Sequence, residues 1–465
     1  VSIASDNSTT TLAKVGDEIT LSFTASESLH TPVVTFQSGG NNISTADVVA
    51  GSGTSWTAKY TANSGDTDGA VTFTIAFEDL ATNDGTNVTA VTNGTSVTFD
   101  KTAPTLTSVS IASNNSTTTR SKVGDEITLS FTANENIQTP VVTYKSGSNN
   151  ISTADVVAGS GTTWTAKYTA NSSDTNGNVT FTISFDDLPG NSGTNVTAVT
   201  NGTSVTFDKT APTLSSVSIA SNNSPGPTTH AKVGHEVILS FTAGEAIKTN
   251  PTVVFQSGGA AITNAGAITY ANPSGNNWTA KYTTHTNDTA GAVTFSIDFD
   301  DLSGNDGVDI TAVTDGTSVT FDKTVPTLSS LSLVSNNNPS TLANTDDSVT
   351  LTVVGSEVLQ QPTVVFSSGG NVVADSSITY ANPSGNTWTA RYEPESGDTE
   401  GNITFSIDFD DLAGNDGVDV TAVTDGTSVT FDKTVPTLTS VSIASDNSTT
   451  TLAKVGDEIT LSFTA

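Results

Sequence analysis

Three sets of acidic side chains return at matching places along this chain, and they are the groups best suited to chemistry. An Asp stands second in each F-D-K-T-[AV]-P string, at Asp100, Asp208, Asp322 and Asp432, with proline four residues later. A Glu follows the second predicted strand of each repeat, at Glu27, Glu135, Glu245 and Glu357. A pair follows the sixth: Glu78 and Asp79, Asp186 and Asp187, Asp300 and Asp301, Asp410 and Asp411. From the second copy onward that pair opens a D-D-L-x-G-N string, which ends in Asn191, Asn305 and Asn415. Carboxylate and amide oxygens are hard donors. Brought together with no basic residue among them, they repel unless a hard cation sits between them. Calcium suits oxygen-only, irregular loop sites better than magnesium, and a chain with no Cys and no recurring His disfavours zinc. Taken one at a time, the same acids read as solvated loop ends, with Asp and Asn capping turns and Gly supplying positive φ.

Whether these acids meet depends on the elements that carry them, and those elements repeat. Residues 1–25 return letter for letter at 441–465. The related openings at Val109, Val217 and Leu331 give steps of 108, 108, 114 and 110 residues. Trp56, Trp164, Trp278 and Trp388, each in W-T-A-K/R-Y, keep the same step. The period is domain-sized, so each unit can bury its own core. The expected domains are 1–103, 104–211, 212–325 and 326–435, with 436–465 a partial fifth repeat of two strands. The chain is therefore expected to be a slice of a longer array.

In the second unit, residues 105–112, 126–133, 141–145, 164–169, 179–185 and 204–207 alternate apolar with polar, and 151–157 do so more weakly. Period-2 patterning in β-branched and aromatic residues, broken by Gly, Asn, Ser and Pro clusters, predicts half-buried strands. About seven short strands per repeat predict an all-β chain of tandem immunoglobulin-like β-sandwiches, arranged as an elongated rod. The recurring Trp reads as the plug between the sheets. In such a sandwich the loops after the second and sixth strands share the pole at which the first strand enters. The preceding linker arrives there too. This gathers Asp100 with Glu135, Asp186, Asp187 and Asn191; Asp208 with Glu245, Asp300, Asp301 and Asn305; and Asp322 with Glu357, Asp410, Asp411 and Asn415. The first unit departs from the pattern, with Thr82 where the others have Gly. Proline in each linker fixes φ and stiffens the connection.

Composition narrows the partners. A net charge of −32 and a pI near 4.1 exclude nucleic acid and anionic surfaces. No run of 18 apolar residues predicts membrane insertion. The four histidines fall at unrelated positions and no acid–base pair accompanies a nucleophile, so no enzyme is expected. Sequons such as Asn42-Ile-Ser and Asn93-Gly-Thr leave modification open.

The string D-K-T-[AV]-P-T-L, then K-V-G-D-E-I-T-L, W-T-A-K-Y and D-L-[AS]-G-N, resembles the bacterial Ig-like tandem domains of giant surface adhesins and biofilm-associated proteins. The resemblance implies calcium near the interdomain linkers, with ligands at Asp100, Asp208 and Asp322 and at Asp187, Asp301 and Asp411. It implies an extracellular stalk on the bacterial cell surface that projects an adhesive module, whose host or surface ligand binds elsewhere. Neighbouring repeats, and other copies in a filament, are the expected partners. Two alternatives stand beside the stalk: a multivalent carbohydrate- or protein-binding array, and a self-assembling filament or coat that uses strand exchange.

Overall fold

The structure, a computed structural model, describes residues 1–147, 149–248, 250–263, 267–374, 376 and 378–465. Two compact units share the chain. One is Val1–Thr213 with Glu245–Pro251 and Phe299–Val308, and the other is Leu214–Gly244, Thr252–Asp298 and Asp309–Ala465. The first holds the sheets of the first two repeats and two loops of the third. The second holds the sheets of the third and fourth repeats and a final hairpin.

The first repeat sets the pattern: β1 (Ser2–Ser5), β2 (Leu12–Ala13), β3 (Glu18–Thr24), β4 (Val33–Ser38), β5 (Asn41–Thr45), β6 (Val48–Ser52), β7 (Ser55–Thr61), β8 (Gly69–Ala76) and β9 (Val97–Phe99). They form a four-stranded sheet, β1-β3-β7-β6, and a five-stranded one, β2-β9-β8-β4-β5. Alternation does the sorting. In β3, Ile19, Leu21 and Phe23 point inward while the residues between them face out, and β7 does the same with Trp56, Ala58 and Tyr60. Both sheets contribute to one core, in which each fully buried Ile, Leu or Phe contributes about 1.5–3 kcal/mol. The second, third and fourth repeats each carry the same pair of sheets, so the all-β, tandem immunoglobulin-like sandwich is the fold of this chain. Among the described residues no helix is long and apolar enough to cross a membrane.

Among the described residues each repeat has nine strands rather than about seven, for two reasons. A two-residue strand, β2 in the first repeat and Arg120–Ser121 in the second, peels off the first sheet and pairs in parallel with the last strand. Two residues carry no periodicity to read. The weak segment expected at 151–157 is two strands, Asn149–Thr153 and Val156–Ser160, the first on the five-stranded sheet and the second on the four-stranded one. The chain changes sheets there, which interrupts the alternation.

Trp56, Trp164 and Trp278 are core residues, and Trp388 is half-buried. The side chain of Asn42 lies outside the described residues. Asn93 holds a turn, its Oδ1 accepting from the Thr95 amide at 3.2 Å and hydroxyl at 2.8 Å. Asp315 and Asp425 do the same for Thr317 and Thr427, so the first position of the motif needs an acceptor, whether amide or acid.

Candidate metal centre

Each linker is fastened first to the repeat it leaves. The Asp100 amide donates to the Ala13 carbonyl, and Asp100 Oδ1 accepts from the Thr102 amide at 2.8 Å, which turns the chain outward. Lys101 folds back, its Nζ donating to the carbonyls of Ser64 and Asp66. Pro104 is buried and Leu106 packs on the core of the second repeat. With both ends fastened, Asp100 has little freedom.

The receiving pole is equally ordered. Phe185 lies over Gly193, where a Cβ would stand 2.4 Å from the ring, and the Gly193 amide donates to the Phe185 carbonyl. This corner holds the D-D-L-P-G-N loop. Asp187, with no exposed surface, accepts from the amides of Gly190 (2.7 Å) and Asn191 (2.6 Å) through Oδ1 and from Asn191 Nδ2 (2.7 Å) through Oδ2. Gly190 sits at φ +97°, a conformation that costs a residue with a Cβ about 1–2 kcal/mol.

Asp100, Glu135 and Asp187 each offer a carboxylate oxygen within 4.8 Å of the others. Asp208, Glu245 and Asp301 form the second such triad, and Asp322, Glu357 and Asp411 the third. In every triad the linker acid and the Glu are partly exposed and the loop acid is buried. The electrostatic cost appears on the Glu. Burial first, then Asp100 and Asp187, raise Glu135 above the usual carboxylate range. Burial with Asp208 and Asp301 raises Glu245, and burial with Asp322 and Asp411 raises Glu357. Asp100 is raised too, by burial and then by Asp187 and Asp68. Three mutually repelling oxygens at this spacing can hold a metal ion.

The other expected ligands take different places. Asn191 turns its amide nitrogen to Asp187 and also donates to the Asp100 carbonyl at 2.9 Å, tying linker to loop; Asn305 and Asn415 repeat this at 3.0 and 3.2 Å to Asp208 and Asp322. Asp186, Asp300 and Asp410 lie outside the triads. The Asp186 carbonyl accepts from the Gln138 amide, Asp300 pairs with Lys248 at 3.0 Å, and burial raises Asp410, helped by Asp416. No triad among the described residues includes Glu27, Asp79 or Asp432. In the first repeat Thr82 adopts φ +67° where the others have Gly.

Basic residues do stand beside these acids, contrary to the sequence expectation. Lys14 Nζ donates to the Gly190 carbonyl at 2.7 Å, and Asn7 Nδ2 donates to the Pro189 carbonyl at 2.8 Å. Lys122 and Asn115 make the same bonds to Gly304 and Ser303, and Lys232 and Asn223 make them to Gly414 and Leu412. The Arg120 charge draws Glu245 back toward its ordinary value. Recurrence of Lys in K-V-G was a usable signal, because the turn before the third strand lies at the pole from which the linker departs.

No protein-family model and no curated protein matches the chain. Among solved structures it is similar to the tetra-tandem repeat in the extending region of a large adhesion protein, at 18% identity over 91% of this chain and 99% of that one, with a TM-score of 0.33. It is also similar to a structure from a 1.5-MDa bacterial ice-binding adhesin, at 15% identity over 71% and 98%, TM-score 0.36. An I-band fragment of titin matches at 11% identity over 72% and 100%, TM-score 0.31.

Proposed function

We propose that this chain is a structural spacer of an extracellular bacterial surface adhesin, built from domains at 1–103, 104–211, 212–325 and 326–435 with 436–465 beginning a further one, and stiffened by calcium where one domain meets the next. The observation that carries this reading is that each of three triads takes one carboxylate from the end of one repeat and two from the loops of the following repeat. A cation bound by all three ties the two repeats together. It also relieves the repulsion that adds to burial in raising Glu135, Glu245 and Glu357. Oxygens within 4.8 Å of one another can share one ion, and an all-oxygen set on irregular loops suits calcium better than magnesium.

Near-identical repeats fit a part that supplies reach and stiffness at every position. The recurring Trp is spent on the core in three repeats and half-buried in the fourth, so it builds no exposed aromatic platform. Small-angle scattering on the whole chain tests the reading. Adding calcium to chelator-treated protein should lengthen and narrow the pair-distance distribution, and titration calorimetry should count three sites. An unchanged scattering profile, or magnesium acting as well as calcium, would overturn it.

A further inference from the structure

Three junctions carry, beside the acidic triad, a second set of contacts that needs no cation. Lys14 and Asn7 reach consecutive carbonyls, Gly190 and Pro189, in the loop that also holds Asp187 and Asn191. The pair is aimed by one acid. Asp17 Oδ2 accepts from the Lys14 amide at 2.8 Å and from Asn7 Nδ2 at 2.7 Å, so the turn presents both side chains on one side. Asp125 does this for Lys122 and Asn115 at 2.8 and 2.7 Å. A Cβ at Gly190 would stand 3.0 Å from Lys14 Nζ, so a larger residue there would push the lysine tip aside. Backbone carbonyls are the acceptors throughout: the asparagine reaches the x residue, Pro189 or Ser303, at the first two junctions and Leu412, one place earlier, at the third.

We propose that this Asn–Lys clasp is a docking surface for the D-L-x-G-N loop of the next repeat, and that it holds each junction in register whether or not a cation is bound, leaving the residual hinge motion for a cation to remove. Lys14, Lys122 and Lys232 are positioning residues. They seat the loop so that a cation meets a triad already assembled instead of drawing two loose repeats together. The proposal concerns the same junctions as the calcium reading but does not depend on it. The fourth repeat has Asn344 at the lysine position and so lacks the charged half of the clasp.

A chain without cysteine allows clean spin labelling. Thr72→Cys and Thr180→Cys place labels on exposed strand positions of the first and second repeats, and Thr294→Cys with Thr404→Cys do so for the third and fourth. In chelator, the full chain should give a narrow distance distribution for each pair, and calcium should narrow it further. Lys14→Met should broaden the first distribution by about twofold or more, and Lys232→Met the second, because repeats joined by a small interface move unless something fastens them. Lys14→Arg, which keeps a charged donor, should restore the narrow one. Tryptophan fluorescence unchanged from the parent chain shows that the sandwiches remain folded. A parent distribution already broad in chelator, or Lys→Met variants as narrow as the parent, would overturn the proposal. Calcium arms run in parallel report on the cation separately: loss of any calcium effect with the chelator results intact leaves the clasp standing.

Discussion

The first and third complete junctions make the same clasp from different turns. In the first, Asp17 gathers the Lys14 amide and Asn7 Nδ2. In the third, His235 stands at that position; its Nδ1 faces the Lys232 amide at 3.4 Å, and Asn223 turns instead to the Pro227 carbonyl at 3.2 Å. Yet Lys232 and Asn223 still reach Gly414 and Leu412. The contact across the junction is thus set by where the turn lies in the fold, while the residue beneath it sets how the contact responds to conditions. An aspartate gives a permanent acceptor, and an imidazole gives one that protonation removes.

The largest effect should fall on what the two junctions share. Asp187→Ala leaves two loop amides and Asn191 Nδ2 without a buried acceptor, Asp411→Ala leaves one loop amide and Asn415 Nδ2, and each should destabilise its own repeat by about 2–4 kcal/mol and remove one of three calcium sites. Calorimetric titration and chemical denaturation check both. Markedly unequal losses would break the equivalence.

Glycine substitutions should come next. Gly190→Ala and Gly414→Ala force a Cβ into the left-handed region, at φ +97° and +85°, costing about 1–2 kcal/mol each in thermal unfolding. Gly190→Ala should do more harm to its clasp, since Lys14 Nζ lies 3.0 Å from the added carbon and Lys232 Nζ lies 3.6 Å from the corresponding one at Gly414.

The difference between the junctions is exposed by pH. Burial, and then the Lys232 charge, lower the His235 pKa below its ordinary value. The folded state therefore binds this proton less readily than the unfolded state. Stability from the neutral imidazole is present above the unfolded value, about 6.5, and is lost as pH falls below it. Spin-label distances should show the third junction loosening between pH 7.5 and 5.5, and His235→Asp should abolish that response. The acidic triads act in the opposite sense. With Glu135, Glu245 and Glu357 raised, cation-free junctions gain stability as pH falls through their folded values, while calcium affinity declines over the same range because protons compete.

Smallest of all, Thr82→Gly should stabilise the first repeat by up to about 1 kcal/mol by relieving φ +67°. A melting scan in which this variant loses stability would show that the Thr82 hydroxyl bond to the Ala81 carbonyl outweighs the strain.

The alternation of Ile127, Leu129 and Phe131 with polar residues was enough to place that strand and its inward face, because half-buried strands write their burial into the sequence. Convergence of Asp100, Glu135 and Asp187 followed from strand order alone. Two things did not follow. The role of Asn191 depends on which end of its amide meets Asp187, a choice made by three-dimensional neighbours. The clasp joins residues far apart in the chain through backbone carbonyls, which leave no residue type to recognise on the accepting side.

The short parallel pairing of β2 with β9 has a mechanical consequence. Leu12 and Ala13 near the start of the repeat run alongside Thr98 and Phe99 at its end, with the Asp100 amide bonded back to Ala13. Tension applied to the two termini drags these segments past each other in opposite directions. The hydrogen bonds lie across that pull and must fail together rather than one by one, so the segment that the alternation pattern could not reveal becomes the part of each repeat that bears the load.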